Sequence, residues 1–180
     1  RQGEGCYLDT SIFETVLSWQ SFGQAGVGCS GASLEPGRGL ITGGVACYQI
    51  YRTADQKFVV LGALEEKFWQ AFCVAVERPD WIARQHEPMP QTSLNSELGA
   101  FFATANRDAL VELLSGADCC FEPLLEPEEV ACHPHVVQRK LVEFSSEKDS
   151  TIDIRVPALM DGASPRKRTP FSEVPAADVA

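Results

Sequence analysis

Two adjacent carboxylates, Glu65 and Glu66, stand at the start of a segment whose apolar residues fall at positions 68, 72, 73 and 76, the spacing of one helix face. The first N–H groups of a helix lack intrahelical partners, and the helix dipole favours negative charge at that end. We therefore expect Glu65 to stay ionised and to point in a fixed direction. Such a carboxylate orients a neighbouring base or caps its own helix. The residues alone leave both roles open, and capping is the simpler one.

A second group of residues with ligand chemistry is Cys132, His133 and His135. Zinc sites usually need four suitably spaced ligands, and no second Cys/His pair stands nearby in the sequence. We therefore expect no metal here. The adjacent Cys119 and Cys120 are interpreted as part of a buried strand rather than as a redox switch.

A predicted β-hairpin leads to Glu65. Tyr48, Ile50 and Tyr51 run into the turn-forming residues 53–56, and the chain returns through the β-branched and apolar residues 58–61. Gly62 then ends the second strand. The hairpin and the helix after it are therefore the elements that must position the carboxylate.

The residues before the hairpin predict a strand, a helix and a linker. The apolar run 6–8 indicates a strand, and Ser11 with Glu14 forms a capping-box pattern before a helix with apolar residues between 12 and 17. The glycine-rich stretch 23–39 is too costly in backbone entropy for regular structure, which indicates a linker or mobile loop. A phosphate-binding loop is the alternative, but the G-x-x-x-x-G-K-[ST] pattern is missing.

Further elements follow the hairpin helix. Apolar residues at 94, 98, 101 and 102 predict a helix capped by Ser93 or Asn95, and Asn106 is placed to cap the next one. A strand is expected over 118–121, ending at Pro123, and a short helix over 127–130. The alternation of residues 152, 154 and 156 predicts a half-buried strand, and proline, alanine and charge dominate from 161 onward.

Composition limits the possible functions. The chain has 180 residues, is 44% hydrophobic and carries a formal net charge of −10. At this size one domain buries about two-thirds of its unfolded surface. The acidic balance argues against nucleic acid as a partner, although a nucleotide such as CoA needs only a local basic pocket. No apolar run is long enough for a membrane span. The spacing of the seven cysteines is not that of a disulfide framework, and the sequence shows no secretory signal. Both observations indicate reduced thiols in the cytoplasm, or in an organelle of a eukaryote.

The hairpin region resembles the family III CoA-transferases, and within them the α-methylacyl-CoA racemase branch. The matching residues are Gly43-Gly44, Tyr48, the run 51–55, the run Val60-Leu-Gly-Ala-Leu-Glu65, and Phe68-Trp69. Matches at 107–108, 116–119, 123–125 and 133–135 extend the likeness in order along nearly the whole chain. Gln56 stands at a turn position where the family commonly has glycine.

The resemblance implies an α+β fold: the small domain of a family III CoA-transferase, an antiparallel hairpin and small sheet packed with helices, with a flanking strand and helix and a C-terminal tail from the large domain. The implied boundaries are 1–22 for the end of the large, CoA-binding domain, 23–42 for a glycine-rich linker, 43–135 for the small domain, and 136–180 for a C-terminal return segment and extended tail. The half with the catalytic aspartate and the racemase histidine has no counterpart here. The apolar face of the helix at 12–17 is therefore expected to find another partner, such as a second chain.

The resemblance also implies a function. The chain looks like the C-terminal part of a racemase that moves the proton at the α-carbon of an acyl-CoA thioester. In such racemases the glutamate of the Gly-Ala-Leu-Glu motif, matched by Glu65, hydrogen-bonds the catalytic histidine of the other half-site. Ile41, Tyr48 and Leu64 fall where the family lines the path of the acyl chain, although from the residues alone they are ordinary core. CoA enters only as part of the substrate, and no tightly bound cofactor is expected.

The implied partners are the acyl-CoA substrate and either the missing N-terminal half or the second subunit of an interlocked homodimer. Alone, the chain is expected to be inactive. Two alternatives stay open at this point. One is a CoA-transferase that moves CoA between carboxylic acids, and the other is a non-catalytic interaction module that retains the small-domain fold.

Overall fold

The computed structural model describes residues 5–31, 35–144, 152–155 and 158. The chain divides into two units, the first ending at Leu124 and the second starting at Leu125. A small antiparallel sheet and several helices make up the first unit, which confirms the predicted α+β class. Its elements are α1 (Ile12–Trp19), α2 (Ser21–Ser30), β1 (Tyr48–Arg52), β2 (Phe58–Gly62), α3 (Glu66–Ala75), a 3₁₀ helix (Pro79–Arg84), α4 (Thr92–Phe102), α5 (Arg107–Leu114) and β3 (Phe121–Pro123).

The three strands form one sheet in the order β1-β2-β3. Strands β1 and β2 are the predicted hairpin, and their register sets Tyr48 opposite Gly62. Strand β3 lies antiparallel on the other side of β2, with Phe121 opposite Leu61. The apolar and β-branched residues of the hairpin favour extended backbone, which explains why a local pattern was enough to predict it.

The outer edge of β1 is occupied by the side chain of Gln49. The Ile50 backbone N–H donates to Gln49 Oε1 at 3.1 Å, and Gln49 Nε2 donates to the Gly43 carbonyl oxygen at 3.2 Å. Both ends of this amide are therefore bonded to backbone groups beside the strand. As a result, the Ile50 N–H is satisfied without a neighbouring strand.

The core lies between one face of the sheet and the helices. Tyr51, Val59 and Leu61 lie on that face, and none of them is more than 5% exposed. Alternate residues of a strand point to the same face, so these side chains meet the helices together. Helix α3, the 3₁₀ helix and α4 supply six large, fully buried side chains, which are Trp69, Phe72, Trp81, Leu94, Leu98 and Phe102.

Phe72 lies at the centre of an aromatic cluster. The centroid of its ring is 5.6 Å from that of Trp69, 6.4 Å from that of Trp81 and 5.9 Å from that of Phe102. Trp69 Nε1 donates to the Trp81 carbonyl oxygen at 3.1 Å, which satisfies the polar atom of a fully buried ring. Truncating one buried aromatic residue to alanine typically costs about 3–5 kcal/mol. The cluster therefore fixes α3 against the 3₁₀ helix.

Helix α5 begins after Asn106, as predicted, but the Asn106 side chain makes no capping hydrogen bond. The hairpin turn supplies that bond instead, because Asp55 Oδ1 accepts from the Arg107 N–H at 3.2 Å. The adjacent Ala54 N–H donates to the Ala105 carbonyl oxygen at 3.0 Å. The turn of the hairpin and the start of α5 are thus bonded to each other.

Helix α1 begins where the capping box predicts, and the Glu14 N–H donates to Ser11 Oγ at 3.4 Å. The strand predicted over 6–8 is wrong, since residues 5–10 form no regular element in the described part of the chain. A strand needs a neighbour to bond with, and none of the described strands lies beside this segment. No residue of α1 is buried, and Ile12 and Trp19 are 86% and 81% exposed. Coverage of this apolar face by another chain stays a prediction.

The prediction that 23–39 avoids regular structure is wrong for its first part, because Ser21–Ser30 forms α2. Glycine costs a helix about 1 kcal/mol relative to alanine, but it keeps its backbone N–H, so the helical hydrogen bonds still form. The helix ends at Gly31, whose φ of 66° is the left-handed conformation that glycine favours. Residues 35–39 form no regular element, as expected, and turns continue to residue 44. Residues 32–34 lie outside the described ranges.

The second unit contains α6 (Pro127–Val130), α7 (Pro134–Arg139) and the antiparallel strands β4 (Val142–Phe144) and β5 (Ile152–Ile154). The short helix at 127–130 was predicted, and its capping box includes a 2.8 Å bond from the Glu126 N–H to Glu129 Oε2. The predicted alternating strand is confirmed over Ile152–Ile154. Val156 and the segment from 161 onward lie outside the described residues.

Candidate functional site

Glu65 is the residue immediately before α3, at the N-cap position, with φ −76° and ψ 138°. Its carbonyl oxygen accepts from the N–H groups of Phe68 at 3.0 Å and Trp69 at 3.1 Å. Its side chain is exposed and makes no capping hydrogen bond with the helix. The predicted position at the helix N-terminus is confirmed. Capping, the simpler of the two roles expected from the sequence, is not what this side chain does in the structure.

The sheet face that turns away from the core is open. Tyr48 and Ile50 of β1 lie there beside Gly62 and Val60 of β2, because the register pairs Tyr48 with Gly62 and Ile50 with Val60. Phe58 lies at the far end of the same face. Tyr48 is 37% exposed, Ile50 54% and Phe58 41%. We call these five residues the open sheet face, an apolar surface of the kind that binds apolar partners. The exposed Arg52, opposite Phe58, and Glu122, opposite Val60, border it.

At one end of the open sheet face, Gly62 joins Tyr48 to Cys120. The Gly62 N–H donates to the Cys120 carbonyl oxygen at 2.8 Å. The position that a Cβ would take on Gly62 lies 3.9 Å from both Tyr48 Cε2 and Cys120 Cβ. The ring, the glycine and Cys120 are therefore neighbours at the end of the sheet from which the chain runs on to Glu65.

The Cys120 thiol lies within electrostatic reach of Glu65. Desolvation raises the pKa of this thiol, and the negative charges of Glu65 and Asp118 raise it further, whereas Lys67 lowers it. A raised pKa keeps the thiol protonated at neutral pH, so Cys120 is not an activated nucleophile. The Glu65 carboxylate is thus close enough to act on the Cys120 thiol electrostatically.

The interpretation of Cys119 and Cys120 as a buried strand is wrong in part. Cys119 is buried, and that burial raises the pKa of its thiol. Cys120 is exposed, and both residues precede β3. The reason is the φ of 51° at Cys120, which lies in the left-handed region and interrupts extended backbone.

A cavity of about 330 Å³ lies between the end of α5 and residues 117–123. Val111 and Leu114 of α5 form an apolar part of its lining, and Asp118 and Glu122 contribute carboxylates. Among the residues that the structure describes, no Lys or Arg lines the cavity. The described lining thus offers two carboxylates and no countercharge for a phosphate group such as that of CoA.

Gln91 is a buried residue of the site that sequence reasoning missed. It is 4% exposed, and its Oε1 accepts from the Ala46 N–H at 3.0 Å. Its Nε2 donates to the carbonyl oxygens of Gln85 at 2.8 Å and Glu87 at 2.9 Å. Gln91 is also the N-cap residue of α4, where Ser93 or Asn95 had been predicted. The segment before Tyr48 is thereby bonded to the start of α4.

Gln85 holds the segment before Glu65 through hydrogen bonds to its backbone. It is 7% exposed, and its Nε2 donates to the carbonyl oxygens of Leu64 at 2.9 Å and Ala63 at 3.3 Å. Because Gln91 in turn bonds the Gln85 carbonyl oxygen, the two amides link both sides of the site. No local pattern marks either residue, since glutamine is normally found at the surface.

The other two predicted site residues lie in different surroundings. Ile41 belongs to the turns of 35–44 and is 53% exposed. Leu64 is partly buried and packs against the core cluster. The structure brings Tyr48 together with Gly62 and Cys120, whereas Leu64 contributes to the core next to Glu65. Contact of Ile41, Tyr48 and Leu64 with an acyl chain stays a prediction.

Cys132, His133 and His135 lie on exposed positions around the start of α7. Within the described ranges, no three His, Cys, Asp or Glu residues form a group that could hold a metal ion. None of the helices in the described part of the chain has the length and apolar character needed to cross a membrane.

Two curated relatives show different reactions in their names. Human α-methylacyl-CoA racemase is 27% identical over 150 residues, which cover 83% of this chain and 39% of the racemase. The succinyl-CoA:mesaconate CoA-transferase of Haloarcula hispanica is 28% identical over 147 residues, which cover 79% of this chain and 36% of that enzyme. The chain therefore spans well under half the length of the curated relatives it matches.

The fold has a counterpart among solved structures. The Rv3272 protein of Mycobacterium tuberculosis matches with a TM-score of 0.64 at 19% identity, over 91% of this chain and 44% of that chain. At this level of identity the likeness shows a shared fold. The sequence model of CoA-transferase family III matches residues 1–176, nearly the whole chain. The chain therefore belongs to CoA-transferase family III.

Proposed function

We propose that this chain is the C-terminal part of an acyl-CoA-processing enzyme and that Glu65 orients a proton-carrying side chain supplied by another segment. The observation that carries the proposal is the exposed Glu65 carboxylate, which stands at the N-terminus of α3 without capping it. The N-terminus of a helix favours a negatively charged group. A carboxylate that accepts a hydrogen bond from an imidazole N–H sets the direction and basicity of that imidazole.

The reaction we propose is proton transfer at the α-carbon of an acyl-CoA thioester, as in a racemase. Removing a weakly acidic α-proton and returning it on the other face needs two acid/base groups and a means of stabilising the enolate between them. Glu65 is one carboxylate and acts as a positioning residue in this scheme. The acid/base pair would come from the part of the enzyme that this chain does not cover, either the N-terminal half or the second subunit of an interlocked dimer.

The open sheet face would contact the acyl group. Tyr48, Ile50 and Phe58 expose apolar surface there, and the face ends at Gly62, three residues before Glu65. An apolar wall suits an acyl chain that has to move without forming directional bonds. Ile41 and Leu64 are the further residues that we assign to the acyl path. CoA would enter as part of the substrate rather than as a resident cofactor.

Transfer of CoA between carboxylic acids is the second candidate function, and the identity with the Haloarcula CoA-transferase supports it. The two reactions differ in what happens to the thioester, because transfer breaks it and racemisation leaves it intact. The test is therefore to complement this chain with the segment of a family III racemase that it does not cover, and to follow a 2-methylacyl-CoA in D₂O by mass spectrometry. Deuterium incorporation into intact acyl-CoA supports the racemase reaction, and movement of CoA to an added carboxylate supports transfer.

The role of Glu65 is tested in the same complex with Glu65→Gln. Glutamine keeps the size but loses the charge, so we expect deuterium exchange to fall by about 10- to 100-fold, part of what an acid/base group contributes. The partner base should also lose basicity, so the acidic limb of the rate profile should move to lower pH. The matched control is Glu66→Gln, since Glu66 is an exposed carboxylate in the first turn of α3 whose Oε1 lies 3.2 Å from His86 Nε2.

Two results would contradict the proposal. Exchange by Glu65→Gln at the wild-type rate and with the wild-type pH profile would remove the orienting role. An assembled complex that binds no acyl-CoA would remove the enzyme assignment and favour a non-catalytic interaction module with the same fold.

A further inference from the structure

Gly62 leaves a space the size of one methyl group on the open sheet face. A Cβ built on Gly62 would lie 3.6 Å from the Cys120 carbonyl oxygen and 3.9 Å from both Cys120 Cβ and Tyr48 Cε2. These are ordinary van der Waals distances, so the space accepts a methyl group without displacing any neighbour. Because Gly62 itself has no side chain, the space stays open to a ligand.

Tyr48 and Cys120 form the walls of this space. The Cys120 carbonyl oxygen already accepts the Gly62 N–H at 2.8 Å, so the polar atom of the wall is engaged. Tyr48 stands across the hairpin as the strand partner of Gly62. What remains at the surface of the space is an aromatic edge and a Cβ, which favour an apolar group over a polar one.

The space lies at the Glu65 end of the open sheet face. Gly62 is the last residue of β2, and only Ala63 and Leu64 separate it from Glu65. Gln85 bonds the carbonyl oxygens of both of these residues, which holds the short connection in place. A substrate whose reacting carbon lies near the group oriented by Glu65 would therefore set the substituents of that carbon close to Gly62, and the rest of its chain along Ile50 and Phe58.

We propose that Gly62 is a specificity-determining residue, which keeps a methyl-sized slot between Tyr48 and Cys120 for the α-substituent of a branched acyl group. This inference rests on the proposed function, because it places the reacting α-carbon beside Glu65. It goes further in assigning the preference for a branched over a straight acyl chain to one backbone position.

The test is Gly62→Ala in the complemented enzyme, with α-proton exchange measured on 2-methyldecanoyl-CoA and on decanoyl-CoA. The alanine methyl fills the slot, so the ratio of kcat/KM for the branched to the straight substrate should fall by about tenfold or more, the usual effect of one methyl group in an apolar pocket. The straight substrate should react nearly as before. The matched control is Gly99→Ala on α4, where no atom lies within 4 Å of the added Cβ, and its ratio should equal that of the wild type.

A second variant tests the opposite wall. Tyr48→Ala removes the ring and widens the slot, so exchange on 2-ethyldecanoyl-CoA should increase relative to the 2-methyl substrate. A thermal unfolding curve for each variant establishes that it is folded; the 3.6–3.9 Å contacts at Gly62 predict a near-native curve for Gly62→Ala.

The outcomes separate the two proposals. If the wild-type complex exchanges both substrates and Gly62→Ala leaves their ratio within about twofold, below the smallest effect expected of a methyl group, the slot is refuted while the proposed function stands. If the wild-type complex exchanges neither substrate, the proposed function fails and the slot with it. A loss confined to the branched substrate supports both.

Discussion

Replacing Gln91 with leucine tests whether the two buried glutamines hold the site together. Leucine has a similar size, so Gln91→Leu removes hydrogen bonds without opening a large cavity. The change deletes the acceptor for the Ala46 N–H and the donor for the carbonyl oxygens of Gln85 and Glu87. It therefore isolates the polar contribution of the Gln91 amide.

The expected magnitude follows from which of these groups reach water. Ala46 is fully buried, so its N–H is left without a partner, which costs about 1–3 kcal/mol. Gln85 is 7% exposed, and loss of the bond to its carbonyl oxygen adds about 1 kcal/mol. Glu87 is only partly buried, so water can replace the third bond at little cost. The sum is about 2–4 kcal/mol, or a lowering of Tm by about 4–16 °C for a chain of this size.

The assay is urea unfolding followed by the fluorescence of the buried Trp69 and Trp81. Gln70→Leu is the matched control, because Gln70 lies on the exposed side of α3 and undergoes the same chemical change. We expect the control to stay within about 0.5 kcal/mol of the wild type. A Gln91→Leu protein with the same stability as this control would show that the buried amides do not hold the segments before Tyr48 and Glu65.

Two more predictions concern the hairpin turn. Gln56 has a φ of 65°, so Gln56→Gly should relieve left-handed strain and raise the free energy of unfolding by about 0.5–1 kcal/mol. The control Gln70→Gly within α3 should lower the free energy of unfolding by a similar amount. Equal losses for the two variants in urea unfolding would contradict this prediction. The hydrogen bond from the Thr53 hydroxyl, with a smaller contribution from the Arg107 N–H, lowers the pKa of Asp55 from its ordinary 3.8. A lowered pKa means that the stabilisation by Asp55 is present above pH 3.8 and is lost as the pH falls through the folded-state pKa. Asp55→Asn should therefore flatten the acid part of a plot of unfolding free energy against pH. An unchanged slope would refute the contribution of Asp55 to stability.

The parts of the fold that could be predicted are those with a local signal. The alternation around Tyr48 and the β-branched run 58–61 defined the hairpin, and the apolar spacing after Glu65 defined α3, because strand and helix periods are written into neighbouring residues. The glycines of α2 show the limit of composition. Their entropic cost predicted a loop, but glycine only weakens a helix and does not prevent it, and α2 forms.

The contacts that position the site could not be predicted. The Gln91 side chain bonds Ala46 across 45 positions, and Asp55 bonds the Arg107 N–H across 52. Such pairs depend on which elements pack together, and nothing in the local pattern encodes that. The orientation of Glu65 belongs to the same class, since the sequence gives its place at the helix start but not whether its side chain folds back onto the helix.

The amide of Gln49 has a consequence for association between molecules. Exposed strand edges recruit strands from other chains, and this is a common route to fibrils. An incoming strand at β1 would need the Ile50 N–H, which already donates to Gln49 Oε1, and it would have to displace an amide that is also bonded to Gly43. The hairpin therefore resists strand addition at Ile50 while its open sheet face stays exposed.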